Sequence, residues 1–128
     1  MNGFSTTLTA AAFILAAGAA QAETGIMTGT TSAGPALTDS RGMTLYVFDK
    51  DSGEASACYD KCAANWPPLL APAGAKAEKD FGLITRTDGA MQWTYYGKPL
   101  YLWIKDAKPG DATGDGFNGV WHVAKPQD

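Results

Sequence analysis

The sequence predicts a small single domain of the all-β class, mainly antiparallel, built from two pseudo-symmetric hairpin-plus-tryptophan repeats with one short helical turn. Three observations carry this expectation. The segment GMTLYVFDKD beginning at Gly42 returns as GKPLYLWIKD beginning at Gly97. The stretch MQWTYY from Met91 alternates with a period of two, which is strand spacing. Each repeated segment runs into a Gly/Ser/Pro-rich loop that ends on a tryptophan, Trp66 in the first and Trp121 in the second.

The repeat extends past the matching decapeptides. At the offset that lays Gly42 on Gly97, Ala57 meets Ala112, Asp60 meets Asp115 and Trp66 meets Trp121, giving eight identities over the thirty positions from Gly42 to Ala71. Such self-similarity marks a duplicated unit. Two copies are too few for a solenoid. Each is too thin to bury its own apolar side, so the halves are expected to pack on one another about a pseudo-twofold axis.

Residues 1–22 are set apart as a signal peptide. Leu8 to Ala20 is apolar and uncharged, and Ala20-Gln21-Ala22 supplies the small-x-small cleavage pattern. The run is shorter than the ~20 residues a membrane span needs. Residues 23–128 then form one domain, with repeat 1 at about 36–71, a connector at about 72–80 and repeat 2 at about 88–126. The location expected is the periplasm or the exterior, with no membrane span after processing.

Within repeat 2, MQWTYY followed by Gly97-Lys98-Pro99 and LYLWI reads as a hairpin with its turn at Gly97–Pro99. In repeat 1, ALTDS, Arg41-Gly42 and TLYVF read likewise. Each outgoing strand is apolar on both faces: Leu45 and Val47 on one side and Tyr46 and Phe48 on the other. Such a strand is either central or sandwiched. Asp51 and Asp106 then open the loops, where a carboxylate can accept from backbone N–H groups two residues on. The matched Trp66 and Trp121 read as core anchors. One or two helical turns are expected in SACYDKCAAN, with Ser56 as N-cap and a stop at Pro67-Pro68. Residues 23–34 read as a loose leader or an added edge strand, and the tail AKPQD as frayed.

Charge excludes some functions. Thirteen acids and ten bases leave a net charge of -3, with no basic cluster. Nucleic-acid binding has no electrostatic footprint. Catalytic signatures such as G-x-S-x-G, H-E-x-x-H or a P-loop are absent, so the protein is expected not to be an enzyme.

The spacing Tyr46-x-Phe48-x-x-Asp51, repeated as Tyr101-x-Trp103-x-x-Asp106, resembles the Yx(F/W/Y)xxD motif of a bacterial secreted-repeat family, often labelled predicted lipoproteins. The segment from Ser56 to Leu69 is similar to that family, as are DGAMQWTYYGKPLY and GVWHV. The resemblance implies an exported protein and leaves the biochemical role open. The chain departs from the lipoprotein label in having no lipidation cysteine at its cleavage site.

Cys58 and Cys62 stand four residues apart, which on a helical turn brings their Cα atoms to about 6 Å, within bridging range. The main reading is a structural disulfide, since the compartment is oxidising. A second is copper held by Cys58, Cys62 and the single histidine, His122, with Met43 or Met91 as spare thioethers. A third is a redox-active dithiol. Asp111 and Asp115 can be laid on a calcium-loop template, but the position of its obligatory glutamate falls on His122. Tyr46, Phe48, Asp51, Tyr101, Trp103, Asp106, Trp66 and Trp121 are assigned structural roles. The density of aromatic residues fits either a small β core or a ligand groove. The function expected is an exported, non-enzymatic binding module for a protein or small-molecule partner in the cell envelope. The alternative is a copper or thiol-redox accessory protein. No cofactor is expected on the main reading, and the oligomeric state is left open.

Overall fold

The computed structural model describes residues 24–52 and 55–127. The signal peptide expected at residues 1–22 lies outside the described residues. Seven strands form in chain order: β1 (Met27–Thr31), β2 (Gly34–Thr38), β3 (Tyr46–Phe48), β4 (Phe81–Thr85), β5 (Met91–Tyr95), β6 (Lys98–Pro99) and β7 (Trp121–Val123). Among the described residues one short helix, α1 (Lys61–Asn65), and a 3-10 turn (Phe117–Gly119) accompany them. The pairings β1–β2, β3–β7, β4–β5 and β5–β6 are all antiparallel. The fold class read from the sequence is the one observed.

The duplication is visible in the backbone hydrogen bonds. Asp49 N–H donates to Val120 at 2.8 Å, and Ile104 N–H donates to Asn65 at 3.1 Å. Ala124 donates to Leu45 at 2.8 Å, and Leu69 donates to Leu100 at 2.9 Å. Each pair of bonds is one bond seen twice, related by the offset of the sequence repeat. Tyr46 and Tyr101 face each other on the pseudo-axis and exchange both backbone bonds, at 2.8 and 2.9 Å.

The hairpins β1–β2 and β4–β5 are also twins, with a slip. Leu37 donates to Ala124 and Trp93 donates to Leu69, so here the offset is longer by one position. Repeat 1 carries one more residue in the turn after β2. The carboxylate of Asp39 ties that turn, accepting from Arg41 N–H at 2.9 Å and Met43 N–H at 3.0 Å. In repeat 2 the turn is tighter. Tyr96 and Gly97 both take positive φ, 48° and 79°, the arrangement of a two-residue hairpin turn. Lys98 and Pro99 therefore belong to strand β6, not to the turn that the Gly-Lys-Pro sequence implies.

The two faces of the repeated strands bury two cores. Tyr46, Trp66, Tyr101, Trp103 and Trp121 gather with Cys58, Ala36 and Val123 on one side. Leu37, Leu45, Trp93, Tyr95 and Leu100 gather with Ala124 on the other. The sandwiched-strand expectation is met, because alternate residues of one strand enter different cores.

Three local readings are corrected. The helix is only α1, and Asp60 precedes it with no side-chain cap bond. Ser56 lies upstream, its hydroxyl accepting from Cys58 N–H at 3.1 Å. The leader forms strand β1, as the added-strand alternative has it, whereas FGLIT forms β4, a strand the sequence reading omits. The tail is held through Gln127, whose N–H donates to the Tyr95 hydroxyl at 2.7 Å.

Candidate binding site

The repeated motif closes on itself across the axis. The Tyr46 hydroxyl donates to Asp106 Oδ2 at 2.7 Å, and the Tyr101 hydroxyl donates to Asp51 Oδ2 at 2.7 Å. Each tyrosine thus reaches the aspartate of the other repeat. Asp106 Oδ1 also accepts from the Thr113 N–H at 2.9 Å and the Thr113 hydroxyl at 2.6 Å. Asp51 Oδ1 accepts from Ala57 N–H at 2.7 Å. The backbone donors stand six and seven residues beyond the carboxylates, not two. Burial pushes both phenols well above their ordinary range, and the bond to the neighbouring carboxylate adds to the rise. Burial also raises Asp51, against the lowering effect of its Ala57 and Tyr101 bonds. Phenols held so firmly protonated are poor bases. The arrangement works as a clamp between the loops.

Between the clamps runs a stack of four rings in the order Phe48, Trp121, Trp66, Trp103. The successive centroids are 4.1, 3.9 and 4.0 Å apart, with interplanar angles of 12°, 2° and 23°. Tyr46 meets Trp66 edge-on at 5.2 Å, and Tyr101 meets Trp121 edge-on at 5.1 Å. All three tryptophans of the stack are buried. These aromatics fill a core.

One polar network bridges the repeats and has no twin: at the hairpin offset Arg86 corresponds to Thr30 and Gln92 to Ala36. Arg86 is only 5% exposed. It donates to Gln92 Oε1 at 2.7 Å, to the Cys58 carbonyl at 2.6 Å and to Ser56 Oγ at 3.1 Å, and its guanidinium lies 4.3 Å from the Tyr59 ring centroid. Ser56 Oγ in turn lies 2.6 Å from the Tyr101 hydroxyl. The sequence reading misses Arg86 and Gln92. A charged residue in TRTDG beside a turn reads as solvated, and only the packing of the Cys58 loop over it shows otherwise.

Cys58 and Cys62 are joined in a disulfide, with Cα atoms 5.2 Å apart. Both thiols that a copper site would use are therefore engaged. His122 does not complete them: its Nε2 lies 2.8 Å from Oδ2 of Asp49, one residue past the end of the paired strand β3. Among the described residues no group of three or more His, Cys, Asp or Glu side chains is placed to hold a metal ion. Of the spare thioethers, Met91 accepts from the Thr85 hydroxyl at 3.3 Å. The calcium-template aspartates are spent locally. Asp111 accepts from the Ala107 and Lys108 N–H groups, which holds its carboxyl below the usual range, and Asp115 accepts from Val123 N–H at 3.0 Å.

The His122–Asp49 pair stands in a cleft of about 280 Å³ beside the β3–β7 ladder, with Val47, Lys98, Lys125 and Gln127 on its walls. Its pseudo-symmetric counterpart is a cleft of about 340 Å³ lined by Met43, Pro67, Leu102 and Ile104. At the repeat offset the substitutions are systematic. Asp49 corresponds to Ile104, His122 to Pro67, Lys98 to Met43 and Lys125 to Leu70. At these four positions one scaffold thus carries apolar side chains at one end and polar ones at the other, with Arg41 and Asp106 also lining the twin cleft. The sequence supplied the offset from which this contrast follows, but not the knowledge that these four positions share a wall.

A family model described as a secreted repeat of unknown function matches residues 27–70 and 82–125. The chain belongs to this family of secreted repeats. The two matched spans are related by the offset that lays Gly42 on Gly97, and they take in the hairpins β1–β2 and β4–β5. No curated protein and no solved structure matches the chain. No helix among the described residues is long and apolar enough to cross a membrane.

Proposed function

We propose that this secreted repeat protein is a non-enzymatic binding module of the cell envelope or exterior, and that its ligand sits in the His122–Asp49 cleft. One observation carries the reading. Four polar side chains gather in that cleft, and each has an apolar residue at its duplicated position. The twin end folds without them, so the fold does not need them there. Side chains dispensable to the scaffold yet convergent on one concavity are the pattern of a binding site.

Chemistry argues against catalysis here. No serine, threonine or cysteine lines the cleft, and the Tyr95 hydroxyl there is held by the Gln127 backbone, accepting from its N–H at 2.7 Å and donating to its carbonyl at 3.3 Å. A thiol-redox or copper role would first require opening the Cys58–Cys62 bridge, whose Cys58 is fully buried.

The test is a ligand-observed NMR screen of small metabolites against the mature protein and a variant in which three positions take their twins' residues, Asp49→Ile, Lys98→Met and Lys125→Leu. The expected result is at least one ligand that binds the parent and not the variant, both proteins melting alike. If every hit binds both equally, or none binds, the cleft is not the site.

A further inference from the structure

We infer that the ligand of this cleft is a small organic anion carrying a carboxylate or phosphate group; the inference rests on the binding reading above and adds the chemical class. The charge of the site opposes that of the chain. The whole sequence carries -3, yet the cleft wall holds two ammonium groups, Lys98 and Lys125, against the single carboxylate of Asp49. That carboxylate is already engaged by His122 at 2.8 Å. Among the described residues neither lysine forms an ion pair with a carboxylate, and Lys125 Nζ has only the Ala33 carbonyl, at 3.4 Å. Two ammonium groups against one carboxylate leave the wall net positive, and over a floor of Val47 and Ala124 that charge attracts an anion more strongly than it would on a flat wet surface, because an apolar floor screens it poorly.

Size and geometry narrow the class further. A volume of about 280 Å³ suits a small metabolite. The apolar floor favours a ligand with some carbon skeleton behind its charge. Asp49 fixes the His122 ring through Nε2, which leaves Nδ1 as the ring's second polar atom. The amide of Gln127 adds a further donor and acceptor at the rim. In the twin cleft Met43, Pro67 and Ile104 stand where Lys98, His122 and Asp49 stand here, and its one cation, Arg41, is paired with Asp39 at 2.9 Å, so it serves as an internal comparison within one molecule.

The experiment titrates ¹⁵N-labelled mature protein with four probes: citrate, glucose 6-phosphate, choline and maltose. Citrate or glucose 6-phosphate is expected to shift the amides of Val47, Lys98, His122 and Lys125, while those of Met43, Leu102 and Ile104 stay still. Added sodium chloride should weaken the binding. In Lys98→Met/Lys125→Leu the affinity should fall at least about fivefold with an unchanged melting temperature. Which of the two anions binds more tightly distinguishes a carboxylate from a phosphate ligand. Shifts at the cleft from choline or maltose but from neither anion overturn the anionic class and leave the binding reading standing. Anion shifts that spread evenly over all exposed lysines, or that survive in the double variant, overturn the class as well. The metabolite screen with the twin-residue variant decides the binding reading separately.

Discussion

The Tyr46 hydroxyl lies 2.7 Å from Oδ2 of Asp106, sixty residues away in the other repeat, and its twin, Tyr101 to Asp51, has the same length. The YxFxxD and YxWxxD motifs are therefore each half of two crossed clamps. Neither repeat can satisfy its own tyrosine.

The first prediction concerns this exchange. Asp106→Ala removes the acceptor of a buried phenol and of two Thr113 donors, and should cost about 3 kcal/mol. The melting temperature should drop by at least about 10 °C. Asp51→Ala, at a more open position, should cost about half as much. A double-mutant cycle reads the crossing directly. Tyr46→Phe should couple to Asp106→Asn by about 1–2 kcal/mol and to Asp51→Asn not at all. Unchanged melting in both alanine variants would show the motif to be something other than a clamp.

Gly114 is the place where the ring stack is most easily broken. A Cβ built there would lie 2.5 Å from Cη2 of Trp66 and 3.0 Å from Cδ1 of Trp103. Both rings are wedged in the stack, so neither can swing aside cheaply. Gly114→Ala should destabilise by about 2–3 kcal/mol in urea titrations and weaken the near-ultraviolet dichroism of the tryptophans. Gly89→Ala meets no neighbour but has a left-handed φ of 91°, and should cost less while leaving that signal alone.

The disulfide closes a loop with a sequence separation of only four. Chain entropy then assigns it about 2 kcal/mol. Cys58→Ser/Cys62→Ser should lose about that much and remain folded. Intact mass of the parent should rise by about 2 Da on reduction under denaturing conditions. A parent mass that does not change would mean the thiols are free.

Alkali should unfold the protein through its clamps. Both motif phenols have pKa values raised above the ordinary 10.0, chiefly by burial. The folded state then holds protons that the unfolded state releases, so stability is intact below pH 10 and falls as pH rises beyond it. The expected slope is about 1.4 kcal/mol per pH unit for each tyrosine. Tyr101→Phe should halve that slope in urea midpoints measured from pH 9 to 11. At the acid end Asp51 acts in the same sense. Its raised value makes its own contribution largest below the ordinary 3.8 and lost as pH climbs through the folded value. Asp111 acts oppositely, with a lowered value whose contribution is present above 3.8 and lost as pH falls through the folded one.

The sequence by itself determined the duplication, its offset, the all-β class and the strands with two apolar faces. Those properties are written in spacing, and spacing is local: a period of two is a strand wherever it folds. The gapless comparison lost the twin hairpins because one extra residue in the Asp39–Gly42 turn lengthens the offset upstream of it. Three matters waited for the tertiary structure. Tyr46 has Asp51 in its own repeat and Asp106 in the other, chemically alike, and only the antiparallel pairing across the axis selects the second. Arg86 reads as a solvated turn residue until the Cys58 loop covers it. Asp49 and His122 are far apart in the chain and meet only because β3 and β7 pair in register. Which strands become neighbours is settled by burying two aromatic-rich halves against each other. That is a property of the whole chain, which no single segment of it encodes.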